Sequence, residues 1–197
     1  MPRSVPRSAS SALGVLALGL VLAGGTPAQA APPAPVQQQQ AATCHRTLAS
    51  YPVLHKGDRR PAVKTLQCLL NDDGYGPLTV DGWYGPQTRA AIRDLESTFE
   101  GTPTRPYRIG GGMWTLMISR TMPDRTLHVG DHGHAVVLLQ RALRAGGGTL
   151  TVDGDFGPET RAAVEAFQRH NGLRATGRVN DGTRFYLHQG AVTRAPL

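Results

Sequence analysis

The sequence predicts an all-α fold: two tandem small three-helix bundles that follow a signal peptide and a disordered linker. The first observation is an echo. Val152-Asp153-Gly154-Asp155-Phe156-Gly157-Pro158-Glu159-Thr160-Arg161 is matched by Val80-Asp81-Gly82-Trp83-Tyr84-Gly85-Pro86-Gln87-Thr88-Arg89, with Asp81 and Asp153 72 residues apart. A turn, a helix start and an apolar spacing that recur together mark a tandem repeat. The second is that apolar residues beyond each turn fall at helical spacing. The third is that Asp-Gly, Gly-Pro and poly-Gly punctuation bounds each of these runs.

The start of the chain accounts for the leader. Arg3 and Arg7, an apolar run from Ala12 to Gly24 and the small-x-small site Ala28-Gln29-Ala30 have the layout of an export signal cleaved after Ala30. The run is shorter than the roughly 20 residues a spanning helix needs. No later stretch is apolar enough either, so no membrane span is expected. The signal takes 1-30. Pro, Ala and four consecutive Gln at 37–40 make 31-43 a segment that cannot bury a core, hence the disordered linker.

Charge excludes one class of partner. Without Arg3 and Arg7 the 21 basic side chains become 19 against 14 acidic ones, about +5 for the exported product. The Arg residues are scattered, and export separates the product from nucleic acid, so no nucleic acid is expected as a partner. A solvated surface weakly attracted to anionic polymers is the reading. The two cysteines, Cys44 and Cys68, are expected to pair in an exported chain. Closing about 25 residues contributes about 3 kcal/mol in the chain-entropy account and pins the arm around Cys44 across the first repeat.

Repeat one, with its disulfide-tied arm, is expected over 44-119. Asp58 is the expected N-cap of its first helix, with Pro61 early in the helix where it is tolerated. Val63, Leu66 and Leu70 form one apolar face, and Asn71-Asp72-Asp73-Gly74 stops the helix with a Gly suited to a left-handed cap. A short extended piece, Leu78-Thr79-Val80, leads to the Asp81-Gly82 turn. Gly85-Pro86 opens the second helix, whose buried stripe is Thr88, Ala91, Ile92, Leu95 and Phe99. A third helix is expected over Met113 to Ile118, anchored by Trp114, Leu116 and Met117. It should be weak, because Gly110-Gly111-Gly112 offers no side-chain cap.

A polar linker, 120-126, precedes repeat two at 127-190, with 191-197 as a tail. Gly130-Asp131 opens a helix carrying Val136, Leu139 and Leu143, and Ala145-Gly146-Gly147-Gly148 ends it. Thr160, Ala163, Val164 and Phe167 give the second stripe. Asn171-Gly172-Leu173 turns the chain, and Asp181 is the expected cap of a third helix with Phe185, Tyr186 and Leu187. Bundles of about 65 residues are marginal alone, so packing between repeats or the disulfide should matter.

At these residues the chain resembles the small three-helix peptidoglycan-binding module found beside many cell-wall hydrolases. Repeat two carries the resemblance through Gly130, Asp131, Val136, Leu139, Gln140, Val152, Asp153, Gly154, Phe156, Gly157, Pro158, Thr160, Ala163, Val164, Phe167, Gln168, Gly172, Leu173, Gly177 and Val179. Repeat one matches through Gly57, Asp58, Val63, Leu66, Gln67, Val80, Asp81, Gly82, Tyr84, Gly85, Pro86, Thr88, Ala91 and Ile92. It then departs: Leu95-Glu96 replaces Phe-Gln, and Gly101-Thr102-Pro103 stands where a Gly-Leu turn belongs. The resemblance implies a secreted, cell-wall-associated binder of peptidoglycan glycan or stem peptide, with cell-wall hydrolases as further partners and no cofactor.

Most of the signature has a structural reading. Gly82 and Gly154 suit turns that need positive φ. Asp81 and Asp153 can accept from the turn backbone two residues on. Tyr84 and Phe156 are core plugs, and the Gln67 and Gln140 amides satisfy backbone groups between helices. Ligand candidates are side chains the fold does not require. Trp83 offers stacking area to a sugar face, against the alternative of lying on its own helix. Asp155 holds the same position in repeat two. Arg89 and Arg161 share a first-turn position from which a guanidinium can hold a carboxylate bidentately, against the alternative of solvated helix arginines. Tyr75, Tyr107, His170 and Asn171 complete the candidate set.

Two other classes compete. His128, His132 and His134, with Asp131 between them, are metal-ligand types, and a zinc-dependent murein peptidase built on them is the alternative enzyme reading. Exposed histidines around a helix start are the simpler account. No His-Glu-x-x-His or Gly-x-Ser-x-Gly occurs, and the two repeats use up the folded chain, so no catalytic or metal-binding residue is expected. An envelope protein-interaction module is the third reading.

Overall fold

The structure, a computed structural model, describes residues 44–100 and 105–193. The expected signal peptide, the linker over 31-43 and the last four residues of the tail lie outside the described residues. Six helices and no strand occur among them: α1 (Pro61–Asp72), α2 (Pro86–Glu96), α3 (Gly111–Arg120), α4 (His134–Ala145), α5 (Pro158–His170) and α6 (Asp181–His188). The all-α expectation holds, with three helices in each repeat.

Proline starts three of these helices. Pro61, Pro86 and Pro158 occupy the first turn, where a missing N–H costs nothing. Two expected caps are corrected. Asp58 does not cap α1, which begins after Arg60; its carboxylate accepts from the His55 N–H at 3.0 Å and pairs with Arg60 at 2.9 Å. Asp131 does the same for the His128 N–H at 2.7 Å. The cap of α6 is Asn180, whose side chain accepts from the Thr183 N–H at 3.0 Å, while Asp181 is already helical and binds Arg184. Phe99 lies beyond the end of α2 and is half-buried.

Each repeat is closed by two isolated antiparallel bridges rather than a sheet. Leu54 pairs with Ile109 and Leu127 with Val179, tying the loop before the first helix to the loop before the third. Arg59 pairs with Trp83 and His132 with Asp155, tying the same first loop to the turn before the second helix. Tyr84 and Phe156 plug the two cores, both essentially inaccessible.

The third helix of repeat one is the shortest of its three, as expected, but runs beyond Met113 to Ile118 at both ends. α3 runs ten residues and buries Trp114, Thr115, Leu116, Met117, Ile118 and Ser119, because it is shared by both repeats. It packs against α4 and α6 as well as α1. The glycines that gave no cap have a packing role. A Cβ on Gly111 would sit 2.8 Å from the Ala145 carbonyl oxygen, and one on Gly112 2.7 Å from that of Gly190. The Thr115 hydroxyl donates to the Ala142 carbonyl at 3.2 Å across the same contact.

The arm is a second tie between the repeats. The Cys44–Cys68 disulfide is present, with Cα atoms 5.8 Å apart. Arg46 grips Asp72 through two contacts at 2.5 and 2.7 Å. Beyond it, Arg141 on α4 donates to the Thr47 hydroxyl at 2.6 Å, and Arg144 donates to the Leu48 carbonyl at 3.1 Å. Tyr51 then meets Trp114 edge-on, ring centroids 5.4 Å apart. The disulfide thus anchors a strap from α1 to α4.

Candidate functional site

The plan shared by the two repeats rests on one buried glutamine in each. Gln140 is fully inaccessible. Its Nε2 donates to Asp153 Oδ1, the Asp155 carbonyl and Thr160 Oγ1 at 2.7, 3.0 and 3.0 Å, and its Oε1 accepts from the Gly154 N–H at 2.9 Å. Gln67 repeats this with Asp81, the Trp83 carbonyl, Thr88 and the Gly82 N–H. Asp81 and Asp153 accept from the N–H groups of Trp83 and Asp155 at 2.8 and 2.9 Å, as expected. The Asp155 N–H and the Gln140 amide hold the Asp153 carboxyl below the usual carboxylate range.

A third clamp was not anticipated. Gln168 donates to Thr176 Oγ1, the Arg178 carbonyl and Thr183 Oγ1, and accepts from the Thr176 and Gly177 N–H groups. The sequence carries its signal: Thr176-Gly177-Arg178-Val179 followed by Thr183 has the spacing of Asp153-Gly154-Asp155-Phe156 followed by Thr160.

In repeat one the corresponding residue is Glu96, also buried, whose Oε1 accepts from the Tyr107 N–H at 2.9 Å. A carboxylate has no donor, and Met113 stands where Thr183 would receive one. Only the acceptor half of the clamp survives. Tyr107 takes the place of Gly177, with φ of 62° against 66°, the left-handed region that costs a side chain roughly 1–2 kcal/mol.

Two corresponding surface grooves flank these turns. Groove one, about 230 Å³, is lined by Lys56, Pro86, Arg89, Ala90, Arg93 and Tyr107. Groove two, about 270 Å³, is lined by His128, Val129, Arg161, Thr176, Gly177 and Arg178. Arg89 and Arg161 hold the same place in both, and Tyr107 joins Arg89. Burial, followed by the Glu96 carboxylate, pushes up the Tyr84 hydroxyl, which donates to the Tyr107 carbonyl at 3.0 Å, against the pull of Arg89.

The remaining candidates lie elsewhere. Trp83 is half-buried, its indole against Gly85 and under the Arg59 guanidinium at 4.4 Å, a cation–π contact. At the matching place in repeat two, exposed His132 and Asp155 are joined at 2.7 Å. The Tyr75 hydroxyl accepts from Arg120 at 2.9 Å. Asn171 donates its amide to the Phe167 and Val192 carbonyls, and His170 is exposed at the end of α5. Lys56 and Arg93 are groove residues that sequence reasoning passed over: Lys56 joins Arg89 from a distant loop, whereas Arg93, one turn on from Arg89, was legible from helical spacing.

The three histidines do not converge. His128 Nδ1 lies 2.9 Å from the Val129 carbonyl, His132 faces Asp155 and His134 begins α4. Among the described residues no group of three or more His, Cys, Asp or Glu side chains is placed to hold a metal, and no helix is long and apolar enough to cross a membrane.

Comparison with known proteins converges on the same two segments. A family profile described as "Putative peptidoglycan binding domain" matches residues 59–104 and 132–184, together half of the chain. The chain is 34% identical over 86 residues to a protein named "Uncharacterized protein in bpoA1 3'region" from Kitasatospora aureofaciens, covering 43% of this chain and 73% of that one. It is 42% identical over 67 residues to the zinc D-Ala-D-Ala carboxypeptidase of Streptomyces albus G, covering 32% of this chain. The aligned part is 26% of the carboxypeptidase. No solved structure matches.

Proposed function

Because the chain belongs to the peptidoglycan-binding domain family and carries two copies in tandem, we propose that it is a secreted, non-catalytic binder of peptidoglycan that uses both repeats. The observation that carries this reading is the pair of corresponding grooves, each with an arginine in the first turn of the second helix of its repeat. A guanidinium there presents a rigid donor fork to a carboxylate or sugar oxygen, and Tyr107 adds an aromatic wall to groove one. Two weak sites on one chain raise retention on a meshwork that both can reach. The modules fall within 44-119 and 127-190, behind a signal removed after Ala30, and the product works in the cell wall.

Among the described residues no side chains are grouped to hold the zinc that the carboxypeptidase relative's name implies, which supports the non-catalytic reading. Catalytic zinc takes three protein ligands and an open position, and the histidines here are spent on Val129 and Asp155 or stand apart. Incubating the exported form, residues 31–197, with insoluble wall sacculi tests both points. Retention without release of soluble peptide or sugar is expected. Recovery entirely in the supernatant at low and moderate salt would sink the binding reading, and metal-dependent release of peptides would restore the peptidase. Retention that requires an added culture-filtrate protein would instead assign a cell-wall hydrolase as the direct partner.

A further inference from the structure

The two grooves share a position but not a charge. In groove two, Arg161 is paired on its own helix: its Nε lies 2.9 Å from Glu165, one turn on, which leaves Arg178 as the one guanidinium lining that groove without an ion-pair partner among the described residues. The residue matching Glu165 in repeat one is Arg93. Groove one therefore sets Arg89 and Arg93 at i and i+4, an arrangement that destabilises a helix by like-charge repulsion, and adds Lys56, where groove two has Val129. Among the described residues the Arg89 guanidinium and the Lys56 ammonium have no ion-pair partner. Arg93 reaches only its exposed neighbour Asp94, at 3.3 Å. Two carboxylates of repeat one, Glu96 and Asp58, are spent on the Tyr107 N–H and on His55 and Arg60.

Three cations line one concave site, two without an ion-pair partner among the described residues and the third reaching only Asp94, and against the helix's own preference; this is a lining suited to an oxyanion. We propose that groove one is a carboxylate subsite that takes the free carboxylate of a wall stem peptide, while groove two, its matching arginine paired with Glu165, selects less for that charge. This inference rests on the peptidoglycan-binding reading. Carboxylates are intrinsic to stem peptides, whereas phosphodiesters enter a wall only through attached polymers, and that is why the carboxylate is the assigned ligand. The divergence at Glu96, Tyr107 and Met113 then belongs to a groove recast for a different moiety from that of repeat two.

The test uses the exported chain, residues 31–197, on three preparations of sacculi: native, carboxyl-amidated with a neutral amine, and stripped of phosphodiester-linked polymers. Wild type is expected to be retained on native and stripped sacculi and to lose about tenfold in affinity on amidated ones. Arg93→Glu restores to repeat one the pairing that Arg161 has with Glu165. It should keep or raise thermal stability and yet lose about tenfold on native sacculi, as should Arg89→Gln with Arg93→Gln. Lys64→Gln with Arg174→Gln removes the same charge from exposed positions outside both grooves and should bind as wild type.

Equal retention of wild type on native and amidated sacculi overturns the subsite and leaves the binding reading standing. So does an equal loss in the Lys64/Arg174 control, which reduces the effect to bulk charge. A loss on stripped rather than amidated sacculi also overturns it, by assigning the groove to phosphate. No retention on native sacculi at all removes the binding reading and this inference with it.

Discussion

Gln140→Leu isolates what the buried clamp contributes. The substitution keeps the size and the helix preference of the residue but deletes every hydrogen bond of its amide. The Asp153 carboxylate is exposed and recovers water, so its loss is small. The Gly154 N–H is buried and does not recover it, and the part-buried Asp153 N–H, which donates to the same Gln140 oxygen at 3.1 Å, recovers it only in part. The Asp155 carbonyl keeps the Thr160 hydroxyl as a donor, at 3.1 Å. Two orphaned groups at about 1–3 kcal/mol each, less the gain from an apolar side chain, give about 2–4 kcal/mol. Against a stability of about 5–15 kcal/mol this is a large fraction. It should lower the thermal midpoint by about 5–15 °C for a chain of this length. Urea unfolding followed by far-ultraviolet circular dichroism measures it directly. A midpoint within about 0.5 kcal/mol of wild type would refute the reasoning, because it would mean the turn does not need the clamp.

Three further outcomes follow from the rest of the fold. Replacing Cys44 and Cys68 by Ser should cost about 3 kcal/mol, and hydrogen exchange should show lost protection in α4 as well as α1, because the strap reaches Arg141 and Arg144. Burial raises the Asp73 carboxyl to about 6, so the folded chain holds a proton that the unfolded chain has released between about pH 4 and 6. That contribution is complete at lower pH and is lost as pH rises through 6; Asp73→Asn should therefore raise the thermal midpoint at pH 7 and leave it unchanged near pH 4. Gly112→Ala places a methyl 2.7 Å from the Gly190 carbonyl and should cost about 1–3 kcal/mol by calorimetry, whereas Gly157→Ala, with open space at that position, should cost far less.

The bundles were legible because their signals are local. Proline at the helix starts, the Asp-Gly turns, and the stripes through Val63, Leu66 and Leu70 or Val164 and Phe167 are each set within one helical turn or one loop. What the sequence hid depends on residues far apart along the chain. Nothing near Gly111 and Gly112 says that Ala145 and Gly190 will press against them, so α3, which has no side-chain cap, gave no sign that it packs on three other helices. The same holds for groove one. Arg89 was visible as the twin of Arg161, but Lys56 and Tyr107 reach it only when the Leu54–Ile109 bridge closes the repeat. Glu96 was noticed as a departure from Gln168; its meaning needed the sight of Tyr107 in a glycine's place.

Sharing α3 between the repeats, with the strap laid against Trp114 of the same helix, leaves the two grooves on one packed body rather than on two beads joined by a string. A flexible tandem binder searches every spacing its linker allows, and its second contact is gained over a broad range of ligand separations. A stiff one gains nearly everything when sites on the wall lie at its own span and direction, and almost nothing otherwise. The chain would then act as a caliper, sensitive to how wall strands are laid out as well as to what they are made of.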